Sequence, residues 1–266
     1  MHGLQGIWRE KARVHVKSCL DCSIGSAGLK CPVGSNLKKE TEDIGMSYNI
    51  AIDGPAGAGK STIARAVAQK MKLIYVDTGS MYRALAFFML SEKVDLQDTA
   101  SVIKKCGEAD VTIRYEDGVQ VVLLNGKNVN AFLRTEEVGN AASAISPIPE
   151  VRKKLVELQR KLAAESDCIM DGRDIGTCVL PNAQVKVYLT ASSAVRAKRR
   201  YDELTAKGES CDLQKIQADI EERDYRDMHR ETSPLKQADD AVLVDTSDMT
   251  VEEVIEKIIS LCAYPQ

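Results

Sequence analysis

From residue 48 onward, short apolar runs alternate with longer segments whose apolar positions recur every three to four residues. This pattern predicts strands over 48–53, 73–77, 167–171, 184–189 and 241–245. It predicts helices over 60–71, 80–91, 136–145, 150–164, 192–207, 212–230 and 250–262. Strand-helix alternation of this kind argues for a parallel sheet covered by helices on both faces. The stretch 110–130 breaks the rhythm. There, two alternating runs flank Glu116-Asp117-Gly118, and Asn125-Gly126 follows, so a small antiparallel insert is expected. Pro147 and Pro149 separate two helices. Residues 1–45 hold neither period. They read as a weakly structured or non-native extension, with Met46 as the functional start just before the first strand.

Charge and composition narrow the partners. The 266 residues carry 36 Lys+Arg against 39 Asp+Glu, a formal net charge of -3. This excludes a strongly basic nucleic-acid-coating protein, and 5% aromatics are too few for extensive base-stacking platforms. No run approaches the ~20 apolar residues needed to span a membrane. No apolar leader is visible either, so a cytoplasmic protein without a membrane or nucleic-acid partner is expected, and no surface stripe suggests a seam, so a monomer is expected. Eight cysteines are present; Cys106, Cys168, Cys178, Cys211 and Cys262 read as reduced thiols. Cys19, Cys22 and Cys31 form C-x2-C-x8-C, to which His15 could add a fourth ligand, although the spacing is not that of a familiar zinc site. With only His2, His15 and His229, a histidine-centred catalytic site is poorly supported.

The strongest motif is Gly54-Pro55-Ala56-Gly57-Ala58-Gly59-Lys60-Ser61, which fits G-x-x-x-x-G-K-[ST] between a strand and a helix. Glycines let successive N–H groups point inward, and the new helix presents free amides to an anion. Lys60 reaches the β- and γ-phosphates, and the Ser61 hydroxyl suits Mg2+. A nucleoside triphosphate is therefore the expected ligand. The guanine-reading N-K-x-D motif is absent, and no second loop suggests a motor or transporter. Instead, Asp77-Thr78-Gly79-Ser80-Met81-Tyr82-Arg83 and Asp171-Gly172-Arg173-Asp174 lie at the ends of predicted strands, where ligands of open α/β sheets bind.

Arginines cluster on two later helices. Arg196, Arg199 and Arg200 share one face, and Arg223, Asp227 and Arg230 share another. Taken alone, such faces are usually solvated and laced with ion pairs. Beside a phosphate loop they suit phosphate oxygens, which planar guanidinium groups grip bidentately. A phosphate acceptor has its second pKa near ~6, so at neutral pH it is already a nucleophile and needs clamps more than a base. Many arginines and no evident base point to such an acceptor. Other phosphate-loop kinases, of adenylate or shikimate type, and a nucleotide-switched binding protein remain as alternatives.

Five segments together resemble the bacterial cytidylate kinase family: Ile52–Thr62, Asp77–Arg83, Arg134–Val138, Asp171–Thr177 and Arg223–Arg230. The resemblance implies an α/β phosphate-loop fold of the nucleoside monophosphate kinase type, running from residue 46 to 266. That fold has a five-stranded parallel sheet, a monophosphate-binding insert over about 80–165 and a lid over about 196–212. It implies transfer from ATP, with Mg2+, to CMP or dCMP. Gly54 to Thr62, namely Gly54, Pro55, Ala56, Gly57, Ala58, Gly59, Lys60, Ser61 and Thr62, would cradle ATP. Arg83 and Arg173 resemble the clamps on the acceptor phosphate, with Thr78 beside them. Ser143, Arg152, Asp174 and Arg230 resemble the cytosine-reading set, and Arg223 and Asp227 the ribose pair. Lys60, Arg173, Arg196, Arg199 and Arg200 would carry the catalytic charge.

Overall fold

A computed structural model describes residues 47–262. The cysteine-rich segment with His15, the helper ligand proposed for it, and the start at Met46 lie outside the described residues.

All five predicted sheet strands form: β1 (Asn49–Asp53), β2 (Ile74–Asp77), β6 (Cys168–Gly172), β7 (Val185–Thr190) and β8 (Val242–Asp245). They pair in the order β2-β6-β1-β7-β8, and every pairing is parallel. Successive side chains of a strand point to opposite faces, so β1, β2 and β6 feed two cores, while β7 and β8 add Val185, Val187, Leu189 and Val244 to one of them. Ile50 and Ile52 of β1 and Ile169 of β6 pack on one face with α1 (Lys60–Met71) and α8 (Val251–Leu261). Ala51, Val76 and Met170 pack on the other. There they meet α2 (Thr78–Ser91), α4 (Glu136–Ile145) and α5 (Pro149–Glu165).

The insert is a three-stranded antiparallel sheet, β3 (Val111–Glu116), β4 (Val119–Leu124) and β5 (Lys127–Asn128). Asp117-Gly118 and Asn125-Gly126 all have positive φ, as tight hairpin turns require. Gln120 fastens the hairpin to the start of α2. Its side-chain Oε1 accepts from the Asp77 backbone N–H at 2.8 Å, and its Nε2 donates to Ser80 Oγ at 2.8 Å.

Three features depart from the periodicity. The sequence pattern leaves out a helix, α3 (Thr99–Glu108), which buries only Val102 and Cys106 and starts where Asp98 accepts from the Ala100 and Ser101 amides. α2 begins two residues earlier than expected, because Asp77 caps it by accepting from the Ser80 amide. After β6 the chain makes a π-turn, Ile175–Val179, closed by the Leu180 amide on the Ile175 carbonyl at 2.7 Å. The last two long helices are α6 (Ser193–Ala206) and α7 (Leu213–His229), joined by a turn in which Gly208 has φ +78. The five cysteines expected as free thiols are free. Among the described residues, no helix is long and apolar enough to cross a membrane.

Candidate active site

The loop after β1 is shaped by glycine at its first position. A Cβ on Gly54 would sit 1.9 Å from the Leu189 carbonyl oxygen of β7, so no side chain fits there. The chain then turns into α1, whose first residue is Lys60. Lys60 is buried, and its Nζ donates to the carbonyls of Gly54 at 2.7 Å and Pro55 at 2.6 Å. Burial, with the Arg173 guanidinium next, pushes this ammonium well below its usual range. An anion in the loop would reverse that push.

Ser61 Oγ donates to Asp171 Oδ2 at 2.8 Å, and Tyr75 OH donates to Asp171 Oδ1 at 2.9 Å. Burial raises the Asp171 carboxyl above the usual carboxylate range, and Asp77 adds to the rise. Asp171 lies in register with Ile52 of β1 and Asp77 of β2. Sequence reasoning assigned it no role. The available signal was a carboxylate at the carboxyl end of an apolar strand beside the phosphate-loop strand.

A second group of charges comes from the other core. Asp77 pairs with Arg83 and with Arg134, each at 3.1 Å. Arg173 Nε donates to Asp227 Oδ2 of α7 at 2.9 Å. Asp227 therefore pairs across elements, not with the Arg223 or Arg230 of its own helix face. Burial pushes the Asp227 carboxyl up, but Arg173 and then Arg223 outweigh it and hold it low. Arg152 of α5 and Asp174 form a buried ion pair, and Arg230 Nη2 stands 3.7 Å from the other Asp174 oxygen. Arg230 Nε donates to the Ser233 carbonyl at 2.7 Å. Thr78 Oγ1 is committed to the Asp171 carbonyl at 2.7 Å. Among the described residues, three buried guanidinium nitrogens have no hydrogen-bond partner: Arg83 Nε, Arg223 Nε and Arg230 Nη2. Buried donors of this kind are rarely left unmet, and each marks a place for an acceptor.

The three arginines of α6 differ in what they touch. Arg196 is buried and fully engaged. Its Nε donates to the Ala191 carbonyl at 2.8 Å, its Nη1 to the Ala56 carbonyl of the phosphate loop at 2.9 Å, and its Nη2 pairs with Asp224 of α7 at 2.6 Å. Arg199 donates to the Thr246 carbonyl at 2.7 Å. Arg200 is half exposed and, among the described residues, pairs with Glu203 at 2.9 Å.

Lys60, Ser61, Asp77, Asp171, Asp174, Asp227 and the arginines described above open onto one cavity of about 770 Å3, which lies within the range of small-ligand sites. Every residue expected to bind or act lines it, except Gly54 and Pro55, whose carbonyls hold Lys60. His229 lies outside it, stacked on Tyr225. Among the described residues, no group of three His, Cys, Asp or Glu side chains could hold a metal by itself.

Comparison with known proteins finds relatives that cover most of the chain. The family model described as cytidylate kinase matches residues 50–263. A cytidylate kinase of Lactobacillus johnsonii is 48% identical over 224 residues, covering 84% of this chain and 97% of that one. One from Streptococcus pneumoniae is 46% identical over 213 residues, covering 80% and 96%. Among solved structures, a shikimate kinase from Bacteroides thetaiotaomicron is similar at 10% identity and a TM-score of 0.41. It covers 80% of this chain and 97% of that one, a likeness too distant to bear on function.

Proposed function

The chain belongs to the cytidylate kinase family, and from that premise we propose how its residues divide the work of phosphorylating CMP or dCMP with ATP. The carrying observation is one cavity that holds both a phosphate loop and a separate, partly unmet set of buried guanidinium groups. A single phosphorylated ligand does not need both.

The loop amides and Lys60 take the β- and γ-phosphates of ATP. Arg83 and Arg173 clamp the acceptor phosphate. Both now pair with carboxylates, Asp77 and Asp227, which an arriving anion would compete with. Ser143, Arg152, Asp174 and Arg230 read the cytosine. A carboxylate accepts from the exocyclic amine, and guanidinium groups donate to N3 and O2. Arg223 and Asp227 take the ribose. Ser61 and Asp171 supply the hard oxygens that suit Mg2+, which characteristically takes one or two protein ligands and completes its shell with phosphates and water. When bound, the ion would neutralise phosphate charge.

The reaction is a direct in-line displacement. An oxygen of the acceptor phosphate forms a bond to the γ-phosphorus of ATP. The bond to the β,γ-bridging oxygen breaks, and ADP leaves with the electron pair. The acceptor is already an oxyanion at neutral pH, so no side chain has to remove a proton. Lys60, Arg173, Arg199 and Arg200 stabilise the spreading charge, and Arg196 anchors the loop they act around. We extend the reading to a monomer working in the cytoplasm on small nucleotides.

The test is ADP formation from Mg·ATP with CMP, dCMP, UMP, AMP, GMP and shikimate supplied one at a time. A strong rate with CMP and dCMP is expected. A folded protein that binds ATP but turns over none of them would overturn this reading and favour a nucleotide-switched binding protein.

A further inference from the structure

Asp53 ends β1, immediately before the phosphate loop, and is buried. Its carboxylate is held by backbone amides from after β6. Oδ1 accepts from the Ile175 amide and Oδ2 from the Gly176 amide, each at 2.7 Å. These are the first two amides of the π-turn, and the first amides of a helical turn have no partner within it. The two residues before them are Arg173 and Asp174. One places its side chain on Asp227, the other on Arg152. The packing leaves little slack. A Cβ on Gly176 would lie 3.2 Å from Lys186 Cδ and 3.4 Å from Asp53 Oδ2, and one on Gly172 would lie 2.7 Å from Ile175 Cδ1.

Resting on the functional reading above, we propose that Asp53 is a positioning residue for the acceptor nucleotide. By gripping the Ile175 and Gly176 amides, it fixes where Arg173 and Asp174 present their side chains, and it ties that placement to the strand that carries the phosphate loop.

The chemistry requires two acceptors on one side chain. A carboxylate offers two equivalent oxygens. An amide of the same shape offers one oxygen and sets an NH2 against the remaining N–H. Asp53→Asn therefore keeps volume and loses the two-point grip. Ionisation of the group is balanced locally. Burial raises its pKa to about 6, against the pull of the two amides, with Asp174 adding to the rise and Lys60 opposing it. Tyr188 faces it from β7, and the Lys186 stem passes close by on the same strand.

The experiment compares wild type with Asp53→Asn at pH 7.5, measuring KM for CMP and for ATP, kcat, and the separate dissociation constants of CMP and of a non-hydrolysable ATP analogue. The expected result is at least a tenfold rise in KM and Kd for CMP, with the ATP values changed by less than threefold. Equal weakening of both ligands would overturn the proposal in favour of a purely structural role, and so would no weakening of either. Wild type that does not use CMP would instead overturn the functional reading. Should Asp53→Asn fail to fold, hydrogen exchange of the wild-type Ile175 and Gly176 amides carries the test. Both are expected to be strongly protected without nucleotide, and exchange of either at the rate of a free amide would refute the grip.

Discussion

Arg196 and Arg200 sit four residues apart on one helix, yet the structure gives them opposite natures. Consider Arg196→Ala. The side chain is 6% exposed and its partner Asp224 is 11% exposed. Asp224 Oδ1 already has no partner, so removing Arg196 leaves a whole buried carboxylate unpaired. Breaking a buried pair from one side costs about 3–5 kcal/mol. For a folded unit of this size each kcal/mol lowers Tm by about 2–4 °C, so a fall of about 6–20 °C is expected. Arg200→Ala removes only a half-exposed contact with Glu203. That is worth under about 1 kcal/mol, so Tm should barely move, while turnover falls by about a hundredfold through loss of transition-state charge. The assays are thermal unfolding and ADP formation on both variants, with Asp224→Ala and the double variant added to close a cycle. The double variant should lose less stability than the two single losses together. If Arg196→Ala melts with the wild type while turnover collapses, Arg196 faces the phosphates and the tie to Ala56, Ala191 and Asp224 does not govern it.

Three further outcomes follow from the same geometry. Lys60→Ala should fold and lose turnover by about 10²–10³, read as kcat at saturating ATP, since it removes one preorganised donor. Asp174→Ala should erode the preference for CMP over UMP more than it changes ATP binding; the ratio of kcat/KM for the two acceptors is the measurement, and an unchanged ratio would remove Asp174 from base reading. Asp53 titrates near pH 6 in the folded protein against an ordinary carboxylate value of 3.8. The native state thus holds this proton more tightly than the unfolded chain does. The stabilisation is full below about pH 4 and is lost as pH rises through about 6, roughly 3 kcal/mol in all. The difference in unfolding free energy between wild type and Asp53→Asn should therefore drift by that order from pH 4 to 7, and a constant difference would refute the raised pKa.

Much of this was legible in the chain, because the fold is written in local pattern. β1, β2 and β6 alternate between two cores, and the turns at Asp117-Gly118 and Asn125-Gly126 carry residues suited to positive φ. The phosphate loop announces itself because its glycines answer a local backbone need. What stayed hidden depends on distant partners. The π-turn over Ile175–Val179 is held by a carboxylate more than a hundred residues earlier. α3 escaped notice because only Val102 and Cys106 are buried along it. Arg196, Arg199 and Arg200 look equivalent by spacing, and only Asp224, Thr246 and Glu203, from other turns or other elements, distinguish them. Asp171 and Asp77 were read as parts of motifs; their roles emerge only when the strands align them beside Ser61 and Arg83.

The double-sided sheet has an evolutionary reading. Arg83, Ser143 and Arg152 stand on helices rooted in one apolar core, whereas the helix after the phosphate loop is rooted in the other. Drift in the packing beneath one substrate therefore need not disturb the footing of its partner. A lineage could redraw the acceptor pocket, or a designer could graft a new one, while the machinery that handles ATP keeps its own foundation. The covalent and hydrogen-bonded links that cross the sheet are where such remodelling would meet resistance, and Asp53 is one of them.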